Sequence, residues 1–204
     1  MKYPSIFSLF TALLMLNGCT STQPLLDDSL SNFNNVYEDG EATFVDGELQ
    51  LISENNWFFS TKKVYDDFVL EAEVKMPDTS EYSNSGIIFR GQIVDTDNGK
   101  QIVGYQVDID PSDRKWTGGF FDQGRRKWLY PSHPTRSHPD EDFINNYLGE
   151  WSKEQGDAYN HLAWNKVKIV CKGSDIKIFI NDLLTTHVKD TKDRKGVIAF
   201  QHHG

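Results

Sequence analysis

The sequence predicts an all-β fold, a sandwich of two antiparallel sheets carrying one long flap insertion. Runs of alternating apolar and polar residues recur at about ten-residue spacing, as in sandwiches with short strands. Tight-turn pairs such as Asp46-Gly47 and Asn181-Asp182 separate several of them. Few stretches show helical periodicity, and no internal repeat is visible.

The elements follow in chain order. Residues 42–45 and 48–52 flank Asp46-Gly47 and read as a hairpin, and residues 56–61 form a short aromatic strand. Residues 67–75 place Phe68, Leu70, Ala72 and Val74 on one face and Val69, Glu71, Glu73 and Lys75 on the other. Residues 84–91 read as a buried strand with Arg90 near its end. Residues 104–110 alternate Tyr105, Val107 and Ile109 against Gln106, Asp108 and Asp110. Residues 118–126 are dense in glycine, aromatics and cations. Residues 164–171 and 175–181 pair across Lys172-Gly173-Ser174, residues 184–188 follow Asn181-Asp182, and residues 196–203 give the last strand. Between them, residues 132–163 are long and polar, as functional flaps are. Within this flap, residues 140–148 suit a short helix between Pro139 and Gly149, and Tyr147, Trp151 and Tyr159 favour an ordered cover.

The N-terminus has one cation, Lys2, then an apolar run over residues 6–16 that is too short to span a bilayer as a helix. Leu16-Asn17-Gly18-Cys19 resembles the lipobox of bacterial lipoproteins. That resemblance implies a leader over residues 1–18, lipidation at Cys19 and a polar tether over residues 19–32 ahead of a domain at 33–204. It also implies a bacterial membrane location, with the outer membrane, facing periplasm or cell surface, favoured because Thr20 rather than Asp follows the cysteine. With Cys19 lipidated, Cys171 has no disulfide partner and reads as a small core residue. The formal net charge is −9, and Arg125-Arg126-Lys127 is the one basic run, which argues against nucleic acid as a partner.

Arg, Gln and Asp on a sheet face, bounded by an aromatic and arginine loop, suit a polyhydroxylated ligand. Asn-Ser-Gly-Ile-Ile-Phe-Arg-Gly at 84–91, Gly-Tyr-Gln-Val-Asp at 104–108, Trp164-Asn165, Ile-Asn-Asp at 180–182 and Gly-Val-Ile-Ala-Phe-Gln-His-His-Gly at 196–204 occur in one order. In that order they resemble the 3-keto-disaccharide hydrolase family, also described as 3-keto-glucoside 1,2-lyases and hydratases. The resemblance covers residues 33–204 and implies a concanavalin-like jelly roll acting on sugars oxidised at C3. It aligns His203 with a family histidine. Two departures stand out: Gln106 occupies a position where many members carry Glu, and members usually continue past position 204 with one more strand, so that a sheet edge is expected to lie bare.

Such chemistry needs one base, one electrophile and hydroxyl readout, because a C3 ketone acidifies the C2 proton and lets the C1 substituent leave. Period-two geometry would bring Glu73, Arg90, Gln106, Asp108 and His203 to one cleft if their strands are neighbours. His203 and Asp108 are the candidate base or ligands of a divalent metal ion, and Arg90 the electrostatic clamp. Gln106, Glu73 and Gln201 are the candidate hydroxyl readers, and Asp122, Arg125 and Arg126 the rim. Each has a structural reading beside the functional one. Arg90 suits a salt bridge to Glu71 or Glu73, Asp108, Glu71, Glu73 and His203 suit a solvated face, and Arg125 and Arg126 suit a surface hairpin. Trp116, Trp128 and Trp151 suit core positions as well as sugar platforms. His133 and His138 read as loop residues. The expected activity is cleavage of 3-keto-glycosides by elimination and hydration, with a separate sugar 3-dehydrogenase making the keto substrate, since no dinucleotide fingerprint is present. The rival from another class is a non-catalytic, lectin-like carbohydrate-binding protein on the same scaffold.

Overall fold

A computed structural model describes residues 8–15, 22–37, 39–78, 84–145 and 147–203, the first of these as backbone only. In chain order its strands begin with β1 (Ser8–Met15), β2 (Thr22–Pro24), β3 (Phe33–Asn35), β4 (Glu41–Val45), β5 (Glu48–Ile52), β6 (Trp57–Thr61) and β7 (Phe68–Lys75). They continue with β8 (Asn84–Thr96), β9 (Gly99–Ile109), β10 (Phe120–Gln123), β11 (Lys127–Tyr130) and β12 (Phe143–Ile144). After the single-turn helix α1 (Lys153–Gly156) come β13 (Asn165–Lys172), β14 (Asp175–Ile180), β15 (Leu183–Asp190) and β16 (Val197–His203). Every ladder between them is antiparallel.

Two sheets result, as expected. One runs β12-β15-β14-β13-β7-β1-β5-β4, with β2 beside β1, and the other runs β11-β10-β9-β8-β16-β6-β3. The turn residues explain the hairpins. Asp46 and Gly47 have φ of 54° and 85°, and Asn181 and Asp182 have φ of 48° and 69°, the left-handed pairs that two-residue hairpin turns require. Alternation decides which face is covered. Phe68, Leu70, Ala72 and Val74 of β7 meet Ile87, Phe89, Tyr105, Val107, Phe120 and Phe200 of the other sheet in one core. Cys171 is wholly inside that core, and burial pushes its thiol up to about 12, so it is inert packing.

The apolar run read as part of a leader is placed as β1, pairing Leu9–Met15 with β7 and Ser8–Phe10 with β5. Cys19 lies outside the described residues. No helix among them is long and apolar enough to cross a membrane. β16 is interior to its sheet, between β8 and β6.

The flap departs from expectation. The described residues of 140–148 do not form a helix; Phe143 and Ile144 pair instead with Asp190 and Lys189 of the β15 edge, and Phe143 stacks on Phe120 at 6.0 Å. The helical turn falls later, where Ser152 and Gln155 form a reciprocal capping box. Tyr130 meets Trp151 edge-on, and Tyr147 stacks on His187, so the flap is ordered against the sandwich.

Arg90 corrects a second expectation. The β8–β9 register slips between Phe89 and Gln92, and Arg90 adopts φ 50°. This bulge turns its side chain off the face shared by Gly86 and Ile88 and into the interior, where it is fully buried. All its donors are used there. Nε and Nη2 donate to Asp66 O at 3.1 and 3.0 Å, Nη1 to Gly173 O at 2.7 Å and Asp193 O at 3.3 Å, and Nη2 to Asp67 Oδ1 at 3.2 Å. One guanidinium thus ties the β6–β7 loop, the β13–β14 turn and the β15–β16 loop to β8. Removing it leaves buried acceptors without donors, so Arg90→Met is expected to lower unfolding stability by about 3–5 kcal/mol in urea titrations. Arg90→Lys should recover little, since an ammonium cannot span the fork; a wild-type midpoint in either variant would refute the tie.

Candidate functional site

The outward face of the seven-stranded sheet gathers the polar residues. Rows across the strands set the neighbours: Gln201 of β16, Gly86 of β8 and Asp108 of β9 lie in one register row, and Ala199, Ile88, Gln106, Phe121 and Trp128 in the next. Gly86 makes the crossing possible. A Cβ on it would sit 2.3 Å from Gln106 Nε2, so the Gln106 side chain lies in the space a larger residue would fill. Across that gap Gln106 Nε2 donates to Gln201 Oε1 at 2.9 Å and to Asp108 Oδ1 at 3.2 Å, and Gln201 Nε2 donates to Asn56 Oδ1 at 2.8 Å.

Within this hydrogen-bonded group, Gln106 Oε1 and Asp108 Oδ2 are buried without a hydrogen-bond partner among the described residues. Buried acceptors of this kind call for donors from elsewhere, such as ligand hydroxyls or water. Asp108 is 3 % exposed, and its carboxyl is held well above the usual range by burial first and by Asp110 second. Arg114, the Gln106 amide and Arg136 oppose that shift without cancelling it. A carboxyl raised in this way is a candidate for proton transfer.

Arg114 comes from the loop after β9. Asp110 N donates to Thr117 Oγ1 at 2.9 Å, and Thr117 returns the hydroxyl to Asp110 O, which closes the loop. Asp110 Oδ2 then holds Arg114 Nη2 at 2.7 Å, with the guanidinium 5.4 Å from the ring centres of both Trp116 and Trp128. Phe121 meets Trp128 edge-on. The polar row is therefore flanked by three aromatics and a fixed cation.

Other expected residues lie elsewhere. Glu73 belongs to β7 in the opposite sheet, exposed on its outer face, because alternation assigns a face and not a sheet. Asp122 points to the interior, where it holds Arg125 and Arg126. Arg125 continues to Asp193, and Arg126 to Asp140 and Asp190. Tyr105 donates to Asp190 Oδ1 and accepts from Asp193 N. These ion pairs bind the β10–β11 hairpin to the β15 end rather than rim the polar face. His203 shares the outward side with Gln201, half-buried, and burial pushes its imidazole below the ordinary range. Its Cα lies two strands and two residues from that of Asp108, roughly 12 Å away by sheet geometry. His202 faces the other way and is buried. No group of three or more His, Cys, Asp or Glu stands together among the described residues. Arg114 and Arg136 already bring positive charge to Asp108, with which a divalent ion there would have to compete.

Asn56, Arg114 and Arg136 were not singled out from the sequence. Asp110 and Arg114 beside Trp116 offered one signal, an acid and a cation four apart next to an aromatic; Asn56 and Arg136 offered none.

Asp108 gives a signed prediction. Its folded pKa is raised, so its contribution to stability is complete below its unfolded pKa and is lost as pH rises through the folded value. Asp108→Asn is therefore expected to be more stable than wild type at pH 8 and no more stable at pH 3.5. Denaturation midpoints at the two pH values check this; an equal or negative difference at pH 8 would count against it.

The comparisons bear on this geometry. A family model described as a 3-keto-alpha-glucoside-1,2-lyase-like domain matches residues 21–204. Among solved structures, the carbohydrate-binding module CBM66 from Bacillus subtilis superposes with a TM-score of 0.52 at 15% identity, covering 83% of this chain and 86% of that one. A candidate glycosyl hydrolase from Parabacteroides distasonis gives 0.46 at 17% identity, over 83% and 90% of the two chains. No curated protein matches the chain. The first of these structures shares the fold; neither likeness locates a site.

Proposed function

Because the chain belongs to the 3-keto-alpha-glucoside-1,2-lyase-like family, we propose that it cleaves 3-keto-glycosides on the outward face of the seven-stranded sheet, with Asp108 as the base. The observation that carries this reading is the buried Asp108 carboxyl, one oxygen held by Gln106 and the other without a partner among the described residues. The ionised carboxylate takes the proton from C2, whose acidity the C3 ketone supplies. The C1–O bond breaks as the enolate collapses, the departing alkoxide gains a proton, and a 3-keto-2-hydroxyglucal remains. Water adds across its double bond, so the net change is hydrolysis to the free 3-keto sugar and an alcohol. Arg114, fixed by Asp110, is the positive charge nearest to hand for the enolate oxygen. Gln106, Gln201 and Asn56 read hydroxyls. His203, on the same face, is the candidate to handle the second proton.

Binding without catalysis has its own support. Gln106, Gln201 and Asn56 are linked into one chain of amides, an arrangement that serves hydroxyl recognition whether or not a bond breaks. The lipid anchor at Cys19, with its bacterial membrane location, and the supply of substrate by a separate 3-dehydrogenase remain part of the proposal; they rest on residues 16–19 and on the keto chemistry.

Turnover of a 3-keto-α-glucoside beside its parent glucoside tests the enzyme reading. Release from the keto sugar alone is expected, surviving a chelator, and Asp108→Asn should lower kcat by about 10²–10⁴-fold. Release lost on chelation would transfer the electrophile's role from Arg114 to a metal. No release from either sugar by the folded protein would leave the binding reading. The raised carboxyl also fixes the pH dependence: activity should climb as Asp108 ionises, with its acid limb above the ordinary carboxylate range. Gln106→Leu, which removes a donor that favours the charged form, should move that limb to still higher pH.

A further inference from the structure

Beyond Asp108 the outward face carries a guanidinium that the chemistry above does not use. Ser112, Asp113, Arg114 and Arg136 line an open pocket of about 450 Å³. Arg114 is already committed to Asp110 and to two indoles. Arg136 is exposed, and no carboxylate or hydrogen-bond acceptor among the described residues meets its side chain.

Its backbone is nevertheless held in place. Trp128 N donates to Arg136 O at 3.0 Å, Lys127 and Ser137 form a β-bridge, and His138 N donates to Arg126 O at 3.0 Å. The Arg136 amide in turn donates to His133 Nδ1 at 3.1 Å. The residue thus stands on a short strip added to the edge of β11, beside Trp128, and not on a free loop. The charge it brings reaches beyond the pocket. Together with Arg114 it opposes the upward shift of Asp108, and after burial the same two guanidiniums lower the His133 imidazole. A chain of net charge −9 thus keeps beside the polar row an exposed arginine, anchored at its backbone, with no carboxylate partner among the described residues.

Resting on the reading that this face takes a glycoside, we infer that Arg136 receives a carboxylate carried by the sugar, so that the favoured ligands are glycosyluronates. A guanidinium fork matches a planar carboxylate in two parallel hydrogen bonds, which a neutral hydroxymethyl group cannot supply. The positions agree with the ring chemistry. In a pyranose the C5 substituent lies across the ring from C2, so a ring with C2 at Asp108 puts its carboxylate on the far side. Arg136 lines one pocket with Arg114 and stands beside Trp128, whose register row holds Gln106, so it lies on the same face as Asp108 but on the far side of that row.

Indole resonances of Trp116 and Trp128 report on titration with methyl α-glucoside and methyl α-glucuronide. The glucuronide is expected to bind about tenfold more tightly than the glucoside, the value of one charge-assisted pair in a partly exposed site. The advantage should shrink as salt rises. In Arg136→Gln it should vanish, the two sugars then binding alike. Equal or weaker binding of the glucuronide by a protein that binds the glucoside would overturn the inference and leave the lyase reading intact, and an advantage that survives Arg136→Gln would overturn it as well. Glucuronide preference in a protein without turnover of keto sugars would uphold it and remove the lyase reading. Binding of neither sugar would overturn the inference and leave the lyase reading to the turnover of the keto sugar.

Discussion

A cation fully inside a β-sandwich is costly unless every donor is spent, and Arg90 spends all of them. The carbonyls it gathers come from three separate connections between strands, so the ends of both sheets close around one side chain. Asp193 extends the arrangement, since its carbonyl accepts from Arg90 and its carboxylate holds Arg125. From there the pairs pass through Asp122 to Arg126, Asp140 and Asp190. The contact of Arg126 Nη2 with Asp190 Oδ2, 2.8 Å apart, is an ion pair without hydrogen-bond alignment, and burial keeps the Asp190 carboxyl above its ordinary range. These charges hold one end of the sandwich together and leave the outward face of the seven-stranded sheet to other duties.

On that face the balance of forces runs the other way. Asp108 is destabilised in its charged form by burial and by Asp110, and two guanidiniums and an amide restore only part of the loss. A core built only for stability would place an apolar residue or an amide there. The retained carboxyl, together with the partnerless oxygens of Gln106 and Asp108, is the kind of local cost that functional sites carry while the rest of the fold offsets it.

Much of this was legible in the sequence because two signals, alternation and turn chemistry, are local. The hairpins at Asp46-Gly47 and Asn181-Asp182, the faces of residues 67–75 and 104–110, and the pairing of Gln106 with Asp108 on one side all follow from them. What alternation cannot reveal is where it breaks. Arg90 was expected beside Gln106 because nothing in Phe89-Arg90-Gly91 announces a bulge. Glu73 was expected in the same cleft because periodicity assigns a face and is silent on which sheet owns it. Residues 140–148 were read as a helix from their flanking Pro and Gly, whereas Asp140 and Asp142 were instead engaged by Arg126 and Lys192. Ser152 and Gln155 marked the true helical turn three residues apart. Arg114 and Arg136 sit in loops, where spacing carries little information and only the assembled sheet brings them to Asp108.

The space over Gly86 that Gln106 occupies has a consequence for how this surface could change over generations. Gln106 fills the space where a side chain at 86 would stand, so the two positions behave as one inherited unit. A bulkier residue at 86 is tolerable only alongside a shorter one at 106, and that exchange would sever the bridge to Gln201. Lineages that keep the amide chain must keep the glycine, and relatives in which 86 has drifted should read their ligands with a different set of groups.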